Sequence, residues 1–464
     1  MPRNRKKKPP SKSQRPARKG SPAGGARPPG ASRDDPFAID SLVRPVLNGG
    51  AELLEIDDPL EAEDWASQML GMFYKPPVPL DARLALERSL GPRIVQGAEH
   101  MRNAKGLAIL CALAAVTGDE LGAREAAARM AAHGVPRPHW AEEAGQPEFL
   151  GGWTVADPFG DQIGYYLTFR YPGRAPHMVM ALYDENLGGI IKDAFLGELR
   201  DGADPRNLLQ TDPDVTVQDA DPAEAGARIG AAIATGDQFL ENDWTKDFKK
   251  TRALLLARLH LLPARKPARR SHAASGESAD RWASEKAREA LIQEFLASPT
   301  APKREETLPI VDHCMVARCD FGDGDPLRWS PIAVELFMLD YLPRRITLSF
   351  AEINALPEVL TAWVRFALTK RGLAERFVVE TEEAVQRYTA EFRKAVTDPH
   401  SFGPAKAIGN AMRADGVDIM YQPAVDAWLA DFNSLPDEER QRFFGRHLDP
   451  YAQPGDLDLG QGPR

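Results

Sequence analysis

The spacing of apolar residues along the chain changes twice. From about residue 50 to 150, apolar positions recur at steps of three and four, the period of a helix with one buried stripe. In "DDPLEAEDWASQMLGMFY", Asp58 is placed as an N-cap and Pro59 as the first helical residue. Trp65, Met69 and Phe73 follow at helical spacing, and Ala66 and Leu70 widen the stripe. The pattern predicts further helices over 81–90, 98–117 and 119–133, the last stopped by Gly134 and Pro136.

At Gly151 the period falls to two. "IGYYLTFRY", a Pro172-Gly173 turn and "HMVMALYDE" predict two strands of an antiparallel hairpin. His177, Val179, Ala181 and Tyr183 would line one face of the second strand, and Met178, Met180 and Leu182 the other. Both faces are largely apolar, so this strand should be central and covered on both sides. "GGIIKDAF" fits a third strand, but also a helix with Ile190, Ile191, Ala194 and Phe195 on one face. Gly197 and the β-branched pair favour the strand. "DVTVQDA" predicts a short strand, and "PAEAGARIGAAIATG" and "KDFKKTRALLLARLHLL" two helices. From 281 to 447 the helical period returns. Val385, Tyr388, Phe392 and Ala395 form a seam of core or helix-pair type, and Ser434 is placed to cap a short last helix.

These patterns predict a predominantly helical α+β fold: a helical N-terminal unit, a small antiparallel β-meander with helices, and an all-α C-terminal unit. The expected division is a disordered basic tail at 1–36, a helical domain at 37–150 and an α+β domain at 151–262. A basic linker at 263–280, an all-helical domain at 281–450 and a disordered C-terminus at 451–464 complete it. The tail has almost no apolar side chains whose burial would offset the entropy of ordering it.

The stretches "GPAKAIGNAMRADGVD…AWLADFN" and "SPIAVELFMLDYLPRR" resemble those of uncharacterised actinobacterial proteins of unknown function. The Ala, Arg, Asp and Pro usage is similar to that of high-GC bacteria. This resemblance implies no activity and carries no site residues.

Composition narrows the function classes. The longest clean apolar run, Leu107 to Val116, is half of the roughly 20 residues that cross a bilayer, so no membrane span is expected. No apolar segment follows the basic N-terminus, which excludes a secretory signal from the reading. Three cysteines, Cys111, Cys314 and Cys319, are too few for a disulfide framework and point to a reducing cytoplasm. Charge is uneven. Residues 1–33 carry 11 of the 58 Lys/Arg and no acid, leaving 47 basic against 67 acidic residues, a net of −20, in the remainder. Such a tail attracts polyanions through counterion release, without reading sequence. The nucleic-acid contacts expected from it are Arg3, Arg5, Lys6, Lys7, Lys8, Lys12, Arg15, Arg18 and Lys19. No aromatic residue is interleaved for base stacking.

Three stretches invite chemistry. In "PHMVMALYDENLGGIIKDAF" the turn Asp184, Glu185, Asn186, Gly188 and Gly189 is ordinary turn composition. Asp193 is not: as a strand residue it would share a face with Ile191 and Phe195, and a buried carboxylate needs a partner. Asp193 with Asp184, Glu185 or His177 is therefore the candidate acid–base or metal cluster. The plainer alternative pairs Asp193 with an arginine or a backbone amide.

"DHCMVARCDFGDGDPLRW", Asp312 to Trp329, offers His313, Cys314, Cys319 and several Asp. Structural zinc needs two close Cys/His pairs, and no second pair follows its two cysteines. A calcium loop fails because glycines stand where its ligands belong, so an acidic, Gly-rich turn between helices is expected. In "DPHSFGPAKAIGNAMRADG", Ser401 can cap a helix entered through Pro404, with Lys406 in its first turn. The expectation is a capped helix with a surface lysine, since the phosphate-loop, dinucleotide, nucleophile-elbow, zincin and kinase patterns are all missing. No cofactor is implied. The sequence supports a cytoplasmic interaction or regulatory protein of unknown protein partner. A hydrolase-type enzyme using the central acidic cluster is the alternative.

Overall fold

The computed structural model describes residues 39–72, 80–118, 120–199, 205–238, 244–263 and 282–445. The basic tail, all but the first residue of the 263–280 segment, the 451–464 terminus and Phe73 lie outside the described residues. The fold is predominantly helical α+β, with one small antiparallel sheet.

The N-terminal helices are α1 (Ile39–Gly49), α2 (Pro59–Gly71), α3 (Leu80–His100), α4 (Ala104–Thr117) and α5 (Ala123–Ala132). Asp58 caps α2 as expected, its carboxylate accepting from the Leu60 amide at 2.9 Å. The predicted break near residue 90 is absent: α3 runs through Pro92. Leu90, Ile94, Val95 and Ala98 continue one buried stripe across the proline, which outweighs the single lost backbone bond. The chain turns at Arg102 (φ 47°) instead, and Asn103 caps α4 by accepting from the Gly106 amide at 3.0 Å.

Strands β1 (Glu148–Ala156), β2 (Gln162–Arg170), β3 (His177–Asp184), β4 (Ile190–Glu198) and β5 (Thr216–Asp219) form a sheet of order β4-β3-β2-β1-β5. All its pairs are antiparallel. The ambiguous segment is thus strand β4. Strand β3 has neighbours on both sides, and all but one of its residues are buried. A short helix α6 (Pro205–Leu209) precedes β5, and α7 (Pro222–Gly236) and α8 (Lys246–Leu259) follow it. On one sheet face Tyr165, Leu167, Phe169, Val179, Ala181, Tyr183, Ile191 and Ala194 pack with Ile229 and Ile233 of α7 and Phe248 and Leu255 of α8. On the other, Trp153, Tyr166, Met180 and Phe195 stand in one cross-strand row, with the Trp153 and Tyr166 rings stacked at 3.8 Å.

The pairing of β3 with β4 slips between Leu182 and Tyr183: Leu182 faces Asp193, and Tyr183 faces Ile191. This bulge corrects the face expected for Asp193. Ile191 and Ala194 point to the helix-covered side, whereas Asp193 and Phe195 fall in the rows of Leu182 and Met180.

The C-terminal helices are α9 (Glu285–Ala297), α10 (Thr307–Cys319), α11 (Pro331–Glu335), α12 (Leu342–Arg345), α13 (Phe350–Arg371), α14 (Glu375–Ala395), α15 (Pro404–Ala414), α16 (Gln422–Ser434) and α17 (Asp437–Gly445). Residues 282–396 share one core around Phe295, Trp329, Trp363 and Phe392. The seam of α14 packs here: Val385 and Phe392 are in that core, with Tyr388 against it. Between α11 and α12 the backbone widens into a π-helical turn, Leu336–Tyr341. Pro343 supplies the reason, since it has no N–H to donate to the preceding turn. Ser434 does not cap the last helix. Its hydroxyl donates to the Asp431 carbonyl at 2.7 Å and closes α16.

Candidate functional site

Two buried arginines organise the charged interior, and neither is among the candidate residues of the sequence. The first is Arg258 on α8. It and Glu63 on α2 are both 0% exposed, and Arg258 Nη2 donates to Glu63 Oε2 at 2.5 Å. The other Glu63 oxygen accepts from the Tyr171 hydroxyl at 2.6 Å and the Gly145 amide at 2.5 Å. Arg258 Nε donates to His177 Nε2 at 3.3 Å. His177 must present a lone pair there, so it is neutral with its proton on Nδ1. Its ring lies between Phe169 and Tyr171, with centroids 5.9 Å away on each side. Burial first, and the Arg258 charge second, push the imidazole down to about 3. Burial and the adjacent Glu63 carboxylate push the Tyr171 phenol well up.

Close approach of α2 and α8 makes this pairing possible. Ser67 enters the backbone of α8: its hydroxyl donates to the Lys250 carbonyl at 2.5 Å and accepts from the Leu254 amide at 3.0 Å. One turn on, a Cβ at Gly71 would come within 2.2 Å of the Lys249 carbonyl oxygen. Glu63, Ser67 and Gly71 thus form a line at four-residue spacing, and that polar-then-small line is the signal that marked the contact face. Arg258 had a comparable mark, because it continues the helical stripe of Phe248, Thr251 and Leu255.

The second arginine is Arg328, 3% exposed, in the loop after α10. It donates to Asp323 in its own loop and to Asp161 in the β1–β2 turn. It also reaches the Asn186 side chain at 3.1 Å in the β3–β4 turn. Arg318 on α10 holds the other Asp323 oxygen at 2.6 Å. Glu185 accepts from the Tyr183 hydroxyl at 2.8 Å, and Arg228 of α7 lies 3.7 Å from the same oxygen. Burial outweighs these partners and raises Asp161 and Glu185 above the usual carboxylate range. The two acidic stretches that sequence treats as separate, Asp184–Asn186 and Asp320–Trp329, therefore meet at one guanidinium.

The four residues of the proposed acidic cluster take different positions. Asp184 and Glu185 are adjacent in the turn. Asp184 accepts from Gln162 at 2.7 Å and from the Leu187 amide at 3.1 Å, with Lys192 Nζ at 3.5 Å. Asp193 accepts from the Thr245 hydroxyl at 2.5 Å and from the Ala194 amide at 2.8 Å. His177 begins β3 and Asp184 ends it, about 23 Å apart along an extended strand. Asp193 stands opposite Leu182, two positions before Asp184 on β3, whereas His177 is at the far end of that strand.

Lys406 differs from expectation. It is buried, not a surface lysine, and donates to the Pro343 carbonyl at 2.8 Å beside the Phe402 ring. Burial brings it down to about 8. Ser401 makes no cap for α15, whose N-cap is Gly403. His313 lies 3.9 Å from Glu352, and Cys314 is buried. Among the described residues no group of three or more His, Cys, Asp or Glu side chains is placed to hold a metal ion. No helix among them is long and apolar enough to cross a membrane. Compared with protein-family models, curated proteins and solved structures, the chain has no match.

Proposed function

We propose that this chain is a cytoplasmic bacterial interaction protein that contacts nucleic acid through its basic N-terminal residues. The observation that carries this reading is the charge distribution: 11 basic and no acidic residues in 1–33, against a net of −20 elsewhere. Arg3, Arg5, Lys6, Lys7, Lys8, Lys12, Arg15, Arg18 and Lys19 supply the phosphate contacts. Binding of this kind releases counterions, so it weakens steeply with salt and is indifferent to sequence. The acidic remainder repels the same ligand and keeps the interaction weak. The three free cysteines fit a reducing compartment. A hydrolase reading receives no comparable support, because Asp193 is engaged by Thr245 and Asp184 by Gln162.

The test is a salt titration by fluorescence anisotropy with unrelated DNA and RNA oligomers. The full chain binds at low salt with similar affinity for each oligomer, and binding largely vanishes at physiological salt. A chain lacking residues 1–33 binds at no salt concentration. Binding that survives the truncation, or that separates unrelated sequences strongly, overturns the proposal.

A further inference from the structure

The seam between the sheet and the C-terminal helices is made of turns and charges, not of a shared core. Among the described residues, the core of 282–396 takes no side chain from the sheet. Several contacts between described residues cross the seam, among them a hydrogen bond between the Asp161 and Ser330 side chains. Arg328 reaches Asp161, the Gly160 carbonyl and Asn186. Arg371 donates to the Phe159 carbonyl at 3.0 Å. The Phe159 and Phe377 rings meet edge to face at 5.5 Å. Exposed Arg376 pairs with Asp214.

The charged groups facing Arg328 come from every element around it. Asp157 and Asp161 lie in the β1–β2 turn, Glu185 in the β3–β4 turn, and Arg228 on α7. Arg318 of α10, Asp323 and Asp325 of the loop, and Arg371 of α13 face it from the other side. Desolvating ions costs several kcal/mol each, and pairing in the interior returns about as much, so such networks orient more than they hold.

We propose that the Arg328 network is a joint, at which the C-terminal helices swing away from the sheet as a body under native conditions while the cores on both sides stay folded. In the closed state Arg328 sets the angle. In the open state water replaces the protein partners of each charge, so no unpaired ion is stranded and the opening is reversible.

Native-state hydrogen exchange of the full chain over a low-urea series at neutral pH tests this, read together with small-angle scattering. Peptides covering 157–161, 184–189 and 320–328 are expected to lose protection together. They should exchange about tenfold or more faster than peptides of β3 and α13, and with a weaker urea dependence. Arg328→Met should accelerate the three joint peptides by a further tenfold or so, enlarge the radius of gyration, and leave the β3 and α13 peptides unchanged. Faster joint exchange with an unchanged radius means local fraying and overturns the proposal. So does an Arg328→Met chain whose joint peptides exchange as before. If that variant does not fold, the urea series on the unaltered chain decides: joint and core peptides sharing one rate and one urea slope reject the joint.

Discussion

Arg258 and Arg328 look alike one residue at a time. Both are almost fully buried, both pair with carboxylates, and both tie the sheet to helices from another part of the chain. Their settings differ. Arg258 sits within apolar packing: Tyr171 and Leu254 belong to the N-terminal core, and Leu196 touches both that core and the core beneath the sheet. Arg328 sits among turns, with other ions as neighbours. A charge locked inside a continuous core cannot be rehydrated without unfolding that core. A charge in a polar seam can be rehydrated by parting the seam. The same residue type therefore makes a weld in one place and a hinge in the other.

The comparison breaks most readily at Arg258. Arg258→Met leaves Glu63 as a buried carboxylate without its cation, and should cost about 3–5 kcal/mol. Urea unfolding followed by circular dichroism measures it, and the N-terminal helices and the sheet should melt together at the lowered midpoint. A cost under about 1 kcal/mol would place Arg258 in the same class as Arg328.

His177 gives the next largest effect. Its imidazole titrates at about 3 in the folded chain and near 6.5 when exposed. The unfolded chain therefore takes up a proton that the folded chain refuses. The stabilising contribution is complete above pH 6.5 and is lost as the pH falls from there toward about 3. The expected slope is about 1.4 kcal/mol per pH unit from this one group. His177→Gln keeps an acceptor for Arg258 Nε and should remove that part of the slope. An unchanged slope would show that His177 is not the group that titrates.

The smallest effect belongs to the rim of the second seam. Arg376 and Asp214 are more than half exposed, so Arg376→Ala should change stability by no more than about 0.5 kcal/mol. A larger loss in chemical denaturation would mean that this seam carries more of the stability than a hinge allows.

Much of the fold was legible because it rests on local periodicity. The change from helical spacing to alternation near Gly151, the Asp58 cap, and the β-branched pair that makes β4 a strand are read within a few residues of chain. The errors came where packing overruled a local signal. The periodicity ends a helix at residue 90, yet α3 continues through Pro92 to His100. Ser434 reads as a cap, yet it closes the helix before it. Lys406 reads as a surface residue, yet it is buried against the Pro343 carbonyl.

What the sequence determined by itself was therefore the kind and order of elements and the separation of a basic N-terminus from an acidic remainder. These follow from side-chain chemistry at short range and from net charge. Tertiary structure alone decided which charges meet. Glu63 is 195 residues from Arg258, and Asp161 is 167 residues from Arg328. It also decided where Asp193 points, because one bulge in β4 turned an expected core-facing carboxylate toward a different row of the sheet and a threonine partner. Pairing between distant segments depends on how their cores dock, and the spacing of residues along one segment holds no record of that.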